Sequence, residues 1–173
     1  QLSVPPKPKI RRLSVGRIVV VGALGTLPLL TLLGVVLLLV SFFWERDPET
    51  LFEEAQNLRA GVGVHKDVRE AVEMLTLACD KKHRQACATL GDIYADGDGV
   101  RKSRVRSFSF YGKACRLKES RACFLLGQLY RDGRGTKKSS KRAFSSFKKS
   151  CLYKHAEGCF DLAMAYSVGR GTK

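Results

Sequence analysis

The sequence predicts an all-α protein in which a single transmembrane helix precedes an α-solenoid of helix-turn-helix repeats. Two observations support this prediction. A stretch of 27 residues without a charged side chain lies near the N-terminus, and most of the chain after it repeats with a period of 36 residues. We therefore divide the chain into a basic tail (1–17), a transmembrane helix (18–44) and a repeat domain (45–173) of about 3.5 repeats.

The uncharged segment from Ile18 to Trp44 is long enough to span a membrane. As a helix it would extend about 40 Å, more than the roughly 30 Å hydrocarbon core of a bilayer. It ends on Phe42, Phe43 and Trp44, which is typical of a segment that reaches the membrane interface. A cleaved signal peptide would have a shorter apolar core and a small-residue cleavage site. The segment is therefore interpreted as a membrane anchor.

The charges around this segment predict its orientation. Five cations and no acidic residue precede it, whereas acidic residues follow it closely. Since cationic flanks stay on the cytoplasmic or matrix side, residues 45–173 should lie on the opposite side. We expect the mitochondrial inner membrane, with the N-terminus in the matrix and the repeats in the intermembrane space. In a bacterium the same pattern predicts an inner-membrane protein with periplasmic repeats. Because the chain begins with Gln1 rather than Met, we also expect further chain upstream.

The repeat is visible in aligned leucine, tyrosine and glycine positions. Tyr94, Tyr130 and Tyr166 are spaced by 36 residues, and Gly-x-Gly turns follow each of them. One apolar stripe at helical spacing precedes each turn and another follows it, while Gly91 leaves room for a neighbouring helix. Two short helices cannot bury their apolar faces alone, so the units must stack on one another.

Six cysteines form three pairs with C-x7-C spacing: Cys79 and Cys87, Cys115 and Cys123, and Cys151 and Cys159. A short loop brings the end of one predicted helix close to the start of the next, which permits a disulfide within each pair. The predicted compartment also allows disulfides to persist. Reactive thiols and metal binding are the alternatives. His83 and His155 lie between paired cysteines, but three ligands fall short of a closed zinc site, so we interpret them as solvated loop residues and expect no cofactor.

The segments ACATLGDIYADGDGVRKS (86–103) and ACFLLGQLYRDGRGTKKS (122–139) resemble the Sel1-like repeat family, relatives of the tetratricopeptide repeat. The cysteine pairs are similar to those of its cysteine-rich bacterial members and of a cytochrome c oxidase assembly factor in the intermembrane space. The resemblance covers about residues 51–173, and its first unit is degenerate, with Leu51 and Leu58 in the cysteine and tyrosine positions. It implies an α-solenoid that binds other proteins.

Positive charges recur at similar positions of two units and predict a contact with an anionic partner. These residues are Arg101, Lys102, Arg104, Arg106, Lys137, Lys138, Lys141 and Arg142. The whole chain carries a net charge of +15, so acidic subunits of a larger membrane complex or anionic lipid head groups are natural partners. A solvated helix face is the alternative explanation. Nucleic acid is not expected, because the predicted compartment contains none.

The last unit stops at Lys173, after its first helix and glycine turn. Leu162 and Tyr166 should therefore form an exposed apolar end face. We expect further chain or a partner to cover it.

We conclude from the sequence that the protein is a non-enzymatic accessory subunit, of supernumerary or assembly type, in a mitochondrial inner-membrane respiratory or related complex. No small-molecule substrate is expected. A periplasmic adaptor in a bacterium is the nearest alternative. The alternative from another class is a redox or β-lactam-processing enzyme, since Ser145 and Lys148 match an S-x-x-K motif but lack its companion motifs.

Overall fold

The computed structural model describes residues 34–35 and 47–171 of the chain. All regular structure in residues 47–171 is helical, which confirms the predicted all-α class. Its helices are α1 (Pro48–Ala60), α2 (Val68–Asp80), α3 (Arg84–Asp96), α4 (Arg104–Arg116), α5 (Ser120–Asp132), α6 (Ser140–Leu152) and α7 (Ala156–Ser167).

The predicted tail and transmembrane helix lie outside the described residues, apart from residues 34 and 35. Among the residues that are described, no helix is long and apolar enough to cross a membrane. The transmembrane helix over residues 18–44 therefore stays a prediction.

The helices form a solenoid in which each one packs mainly against its neighbours in sequence. Helices α1 and α2 form the first unit, α3 and α4 the second, and α5 and α6 the third, while α7 begins a fourth. The second helix of each unit also packs on the first helix of the next unit. The buried core follows these contacts along the chain from Leu51 to Leu126, so neighbouring units complete each other as predicted.

The two glycines of each turn have different roles. Gly97 ends α3 with a φ of 83°, a left-handed conformation that glycine adopts at little cost, and its N–H donates to the carbonyl of Ile93. At Gly135, a Cβ would collide with the backbone carbonyl of Arg104. The second glycine therefore lets the turn approach the first residue of the preceding unit's second helix.

Room for a neighbouring helix is indeed provided at Gly91. A Cβ at this position would lie 2.5 Å from the ring of Tyr111 on α4. The same contact recurs one unit later, where a Cβ on Gly127 would lie 2.5 Å from the ring of Phe147. Each of these glycines thus allows an aromatic ring of the second helix to pack directly on the backbone of the first.

Candidate interaction surface

The three predicted cysteine pairs are closed disulfide bonds. Their Cα–Cα distances are 4.8 Å, 4.6 Å and 4.4 Å in chain order, within the usual range for a disulfide. Each bond joins the last turn of a second helix to the first turn of the next helix. No cysteine in the described part of the chain is free, so neither a redox relay nor thiolate metal binding is favoured.

The two histidines between paired cysteines are helix N-caps, so their interpretation as solvated loop residues was wrong. The Nδ1 of His83 accepts a hydrogen bond from the backbone N–H of Ala86 at 3.1 Å, and His155 caps α7 in the same way. Each ring also packs on a phenylalanine of the preceding unit's first helix. Glu119 caps α5 from the equivalent position. Residues 47–171 contain no group of three or more side chains that could hold a metal ion.

A polar network connects the second unit to the third. The hydroxyl of Tyr111 donates to Asp92 at 2.7 Å, and both terminal nitrogens of Arg121 donate to the same carboxylate at 2.9 and 3.1 Å. Burial of Tyr111, together with its bond to Asp92, raises the pKa of its hydroxyl. Because these residues lie on α4, α3 and α5, the network fixes three helices relative to one another.

The eight predicted contact cations are all exposed and form two groups, which we call the basic strips and which match at three of their four positions one period apart. The first strip is Arg101, Lys102, Arg104 and Arg106, and the second is Lys137, Lys138, Lys141 and Arg142. In each strip, two residues lie in the loop after a glycine turn and two lie in the first turn of α4 or α6. None of the eight forms an ion pair with a residue in the described ranges.

The position of the strips disfavours a purely structural role. Neither α4 nor α6 has an acidic residue in its first turn, where the helix dipole favours negative charge. Cations at this end oppose the dipole. A cation–π contact partly offsets this for Arg106 and Arg142, whose guanidinium groups lie 5.2 and 5.7 Å from the ring centres of Tyr94 and Tyr130.

The apolar end face is present but differs in composition from the prediction. Tyr166 is 56% exposed, whereas Leu162 is half-buried. Sequence analysis missed Phe160 and Met164 on α7 and Val168 at its C-cap, which are spaced by four residues and are 67%, 49% and 54% exposed. The repeat contained a signal for two of them, because the positions of Met164 and Val168 hold polar residues in both preceding units.

The S-x-x-K match has no catalytic geometry in the structure. Ser145 and Lys148 are both exposed on α6, and no hydrogen bond joins them. The β-lactam alternative therefore has no structural observation in its favour.

Several solved structures that resemble this chain are repeat proteins from bacteria. A Sel1 repeat protein from Oxalobacter formigenes has a TM-score of 0.70 and 25% identity over 73% of this chain and 52% of its own. The protective antigen c5321 from uropathogenic Escherichia coli, described as having an SLR fold, has a TM-score of 0.69 and 27% identity over 72% of this chain and 27% of its own. The chain thus spans about half the length of the first protein and about a quarter of the second.

Helicobacter pylori cysteine rich protein B has a TM-score of 0.56 and 25% identity over 68% of this chain and 98% of its own. No curated protein gives a match. The family model described as Sel1 repeat matches four tandem segments, which are residues 55–83, 84–119, 120–152 and 156–173. From these matches and the disulfide-linked solenoid, we conclude that the chain belongs to the Sel1 repeat family.

Proposed function

We propose that this protein is a membrane-anchored, non-catalytic scaffold whose repeats bind other proteins. The observation that carries the proposal is the pair of basic strips. Their cations are exposed, make no ion pair in the described ranges and oppose the dipoles of α4 and α6. An acidic partner surface would supply the missing counter-charges. A solenoid also offers an extended surface suited to such contacts.

The proposed location is a membrane facing an oxidising compartment. The uncharged segment 18–44 and its cationic flank support an anchor with the repeats on the far side. Three disulfides support the same compartment, because reduced cytosol would not preserve them.

Within such a membrane, we propose an accessory subunit of a mitochondrial inner-membrane complex. A bacterial inner-membrane protein with a periplasmic adaptor domain is the alternative. The solved relatives described above come from bacteria and support this alternative. Proteolysis of intact mitoplasts, or of bacterial spheroplasts, tests the orientation in either case. Cleavage of the repeats from the outer side is expected, whereas protection until the membrane is opened would contradict the orientation.

Charge neutralisation tests the scaffold role. We would change Arg104, Lys137, Lys138 and Lys141 to Gln in the tagged full chain and purify it from native membranes in mild detergent. Copurifying proteins should be depleted about tenfold or more relative to the wild type, because the acidic partner loses its counter-charges. The matched control changes Lys82, Lys118, Lys148 and Lys154 to Gln, which removes four charges outside the strips and should preserve copurification. Equal loss in both variants would contradict a specific role for the strips.

A further inference from the structure

An open groove of about 500 Å³ lies between α4 and α6, with α5 as its floor. Phe108 and Tyr130 contribute aromatic rings to it, and Arg116, Arg142 and Lys149 contribute cations. No acidic residue lines the groove. It therefore combines an apolar floor with a positively charged rim, which is suited to a ligand that is both apolar and anionic.

The preceding unit contains the same groove in a filled form, between α2 and α4. There the ring of Phe110 stacks on Tyr94, with ring centres 5.5 Å apart and an interplanar angle of 3°. The ammonium group of Lys113 lies 5.5 Å from the centre of the Phe110 ring and donates to Asp80 at 3.1 Å. An aromatic ring thus occupies this groove, and a carboxylate lies beside it at the exposed edge.

Both of these groups are missing one period later. Ser146 stands in the position of Phe110, and Arg116 stands in the position of Asp80. Lys149 still matches Lys113, so the ion pair across the filled groove is replaced by two cations on facing helices. Neither Arg116 nor Lys149 has an ion-pair partner in the described ranges. An anion between them would supply the counter-charge that Asp80 supplies to Lys113 in the filled groove.

We propose that the groove between α4 and α6 binds a segment of a partner protein that carries a carboxylate side chain next to an aromatic one. The carboxylate would lie between Arg116 and Lys149, and the aromatic ring would pack on Tyr130. A polypeptide is favoured over a lipid because two side chains of a polypeptide fill the counterpart groove. This inference rests on the proposed scaffold role and adds the chemistry of the partner.

A double substitution converts the open groove into its filled counterpart. Ser146→Phe restores a ring that can stack on Tyr130, and Arg116→Asp restores a carboxylate opposite Lys149. The variant should keep its helical circular dichroism, unfold at a higher temperature than the wild type and lose the ability to bind the partner segment. Arg116→Gln is a second variant, which removes one charge without adding bulk. Lys118→Asp is the control, because it makes the same charge change on an exposed residue outside the groove.

The binding measurement uses the full chain in nanodiscs of zwitterionic lipid. The probe is a fluorescein-labelled ten-residue peptide that contains two Glu-Phe pairs in a Gly-Ser background. Two comparison peptides replace its Glu by Gln or its Phe by Ala. Fluorescence anisotropy should give a Kd for the probe that is about tenfold lower than for either comparison peptide.

The variants make the measurement specific for the groove. The double variant should weaken probe binding about tenfold or more, Arg116→Gln about threefold or more, and Lys118→Asp less than twofold. Equal binding of the three peptides, or equal binding by the double variant and the wild type, would overturn the proposal. So would absence of peptide binding together with a cardiolipin-dependent rise in the unfolding temperature of the wild type alone, which would identify a lipid as the occupant.

The groove proposal and the proposed scaffold role can be contradicted independently of each other. Copurification of partners by the wild type without any binding of the probe would overturn the groove proposal and leave the scaffold role intact. Loss of copurification with the basic-strip variant tests the scaffold role, because none of its four substitutions is at Arg116, Arg142 or Lys149.

Discussion

Two glycines inside helices differ in what surrounds them, and this difference sets the effect of adding one methyl group. A Cβ on Gly91 would lie 2.5 Å from the Tyr111 ring, whereas a Cβ on Gly112 would meet only the end of the flexible Arg116 side chain at 3.7 Å. Gly91→Ala should therefore lower the free energy of unfolding by about 2 kcal/mol through overpacking. Gly112→Ala should raise it by about 0.5–1 kcal/mol through helix propensity. Urea unfolding followed by circular dichroism measures the free energy of unfolding of both variants. A similar change in the two variants would contradict the close contact between Gly91 and the Tyr111 ring.

Tyr111 gives the protein a measurable pH dependence. Because burial and the bond to Asp92 raise the pKa of its hydroxyl, the folded chain retains this proton at a pH where the unfolded chain loses it. The associated stability is fully present below about pH 10 and is lost as the pH rises toward the folded-state pKa. Tyr111→Phe should lower stability by about 1–2 kcal/mol at pH 8, since it leaves Asp92 with one fewer donor.

The same variant should also show a smaller loss of stability between pH 9 and pH 11 than the wild type. Phe147 occupies the equivalent position one unit later, so a phenylalanine ring fits this kind of site. Brief urea titrations at each pH compare the two proteins. Parallel pH profiles would show that Tyr111 is not the group responsible.

Residues that follow the period could be predicted from the sequence, whereas residues whose role depends on a helix end could not. The cysteines repeat in three units, and the loop between them is short, so their pairing could be inferred. His83 and His155 cap helices through Nδ1, which requires knowing that α3 and α7 begin at the next residue. Similarly, the bond between Tyr111 and Asp92 joins residues 19 apart and occurs in one unit only.

At the scale of elements, each disulfide joins two helix ends across a short loop. Replacing Cys115 and Cys123 together by Ala should lower the free energy of unfolding by about 2.5 kcal/mol, the chain-entropy value for a loop of this length. Thermal unfolding under oxidising conditions measures the effect. A reducing agent should produce a larger loss in the wild type than in this variant, because three bonds are open to reduction instead of two. Equal loss in both would contradict a stabilising role for this bond.

The cations in the first turns of α4 and α6 should lower the free energy of unfolding, because they oppose the helix dipoles. Lys141→Glu places an acidic residue where the helix dipole favours one, so it should raise the free energy of unfolding by about 0.5 kcal/mol while weakening partner binding. Lys148→Glu is the control, since it changes the same charge on an exposed residue in the second half of α6. The control should give no gain in stability. A gain of equal size from both would show that net charge, and not position, is responsible.

Helix number and helix order in the repeat domain could be predicted, but the differences between units are what determine the candidate sites. The groove between α4 and α6 exists because Ser146 and Arg116 depart from the residues one period earlier. Met164 on α7 and Val168 at its C-cap replace the polar residues of the preceding units and contribute to the exposed end face. The 36-residue period identifies the residues that the units share. The residues that differ between units can also be read from the sequence. That Ser146 and Arg116 line the same groove follows only from the packing of α4 and α6 on α5.

At the scale of the whole molecule, the 36-residue period predicts a solenoid, because a two-helix unit cannot bury its apolar faces alone and must stack on its neighbours. The charge distribution determined the proposed use of the surface, since the cations of the two basic strips form no ion pair within the described ranges. The evidence for the membrane anchor is the sequence of residues 18–44, of which the structure describes only residues 34 and 35, so the anchor and the repeat domain rest on independent observations.

The most direct test of the scaffold role is the mass at which the protein migrates in native membranes solubilised with mild detergent. Native electrophoresis followed by mass spectrometry of the band gives both the mass and the companions. We expect stoichiometric co-migration with a large membrane complex, which would identify the partner. Migration of the 19.2 kDa chain alone with its detergent would contradict the account.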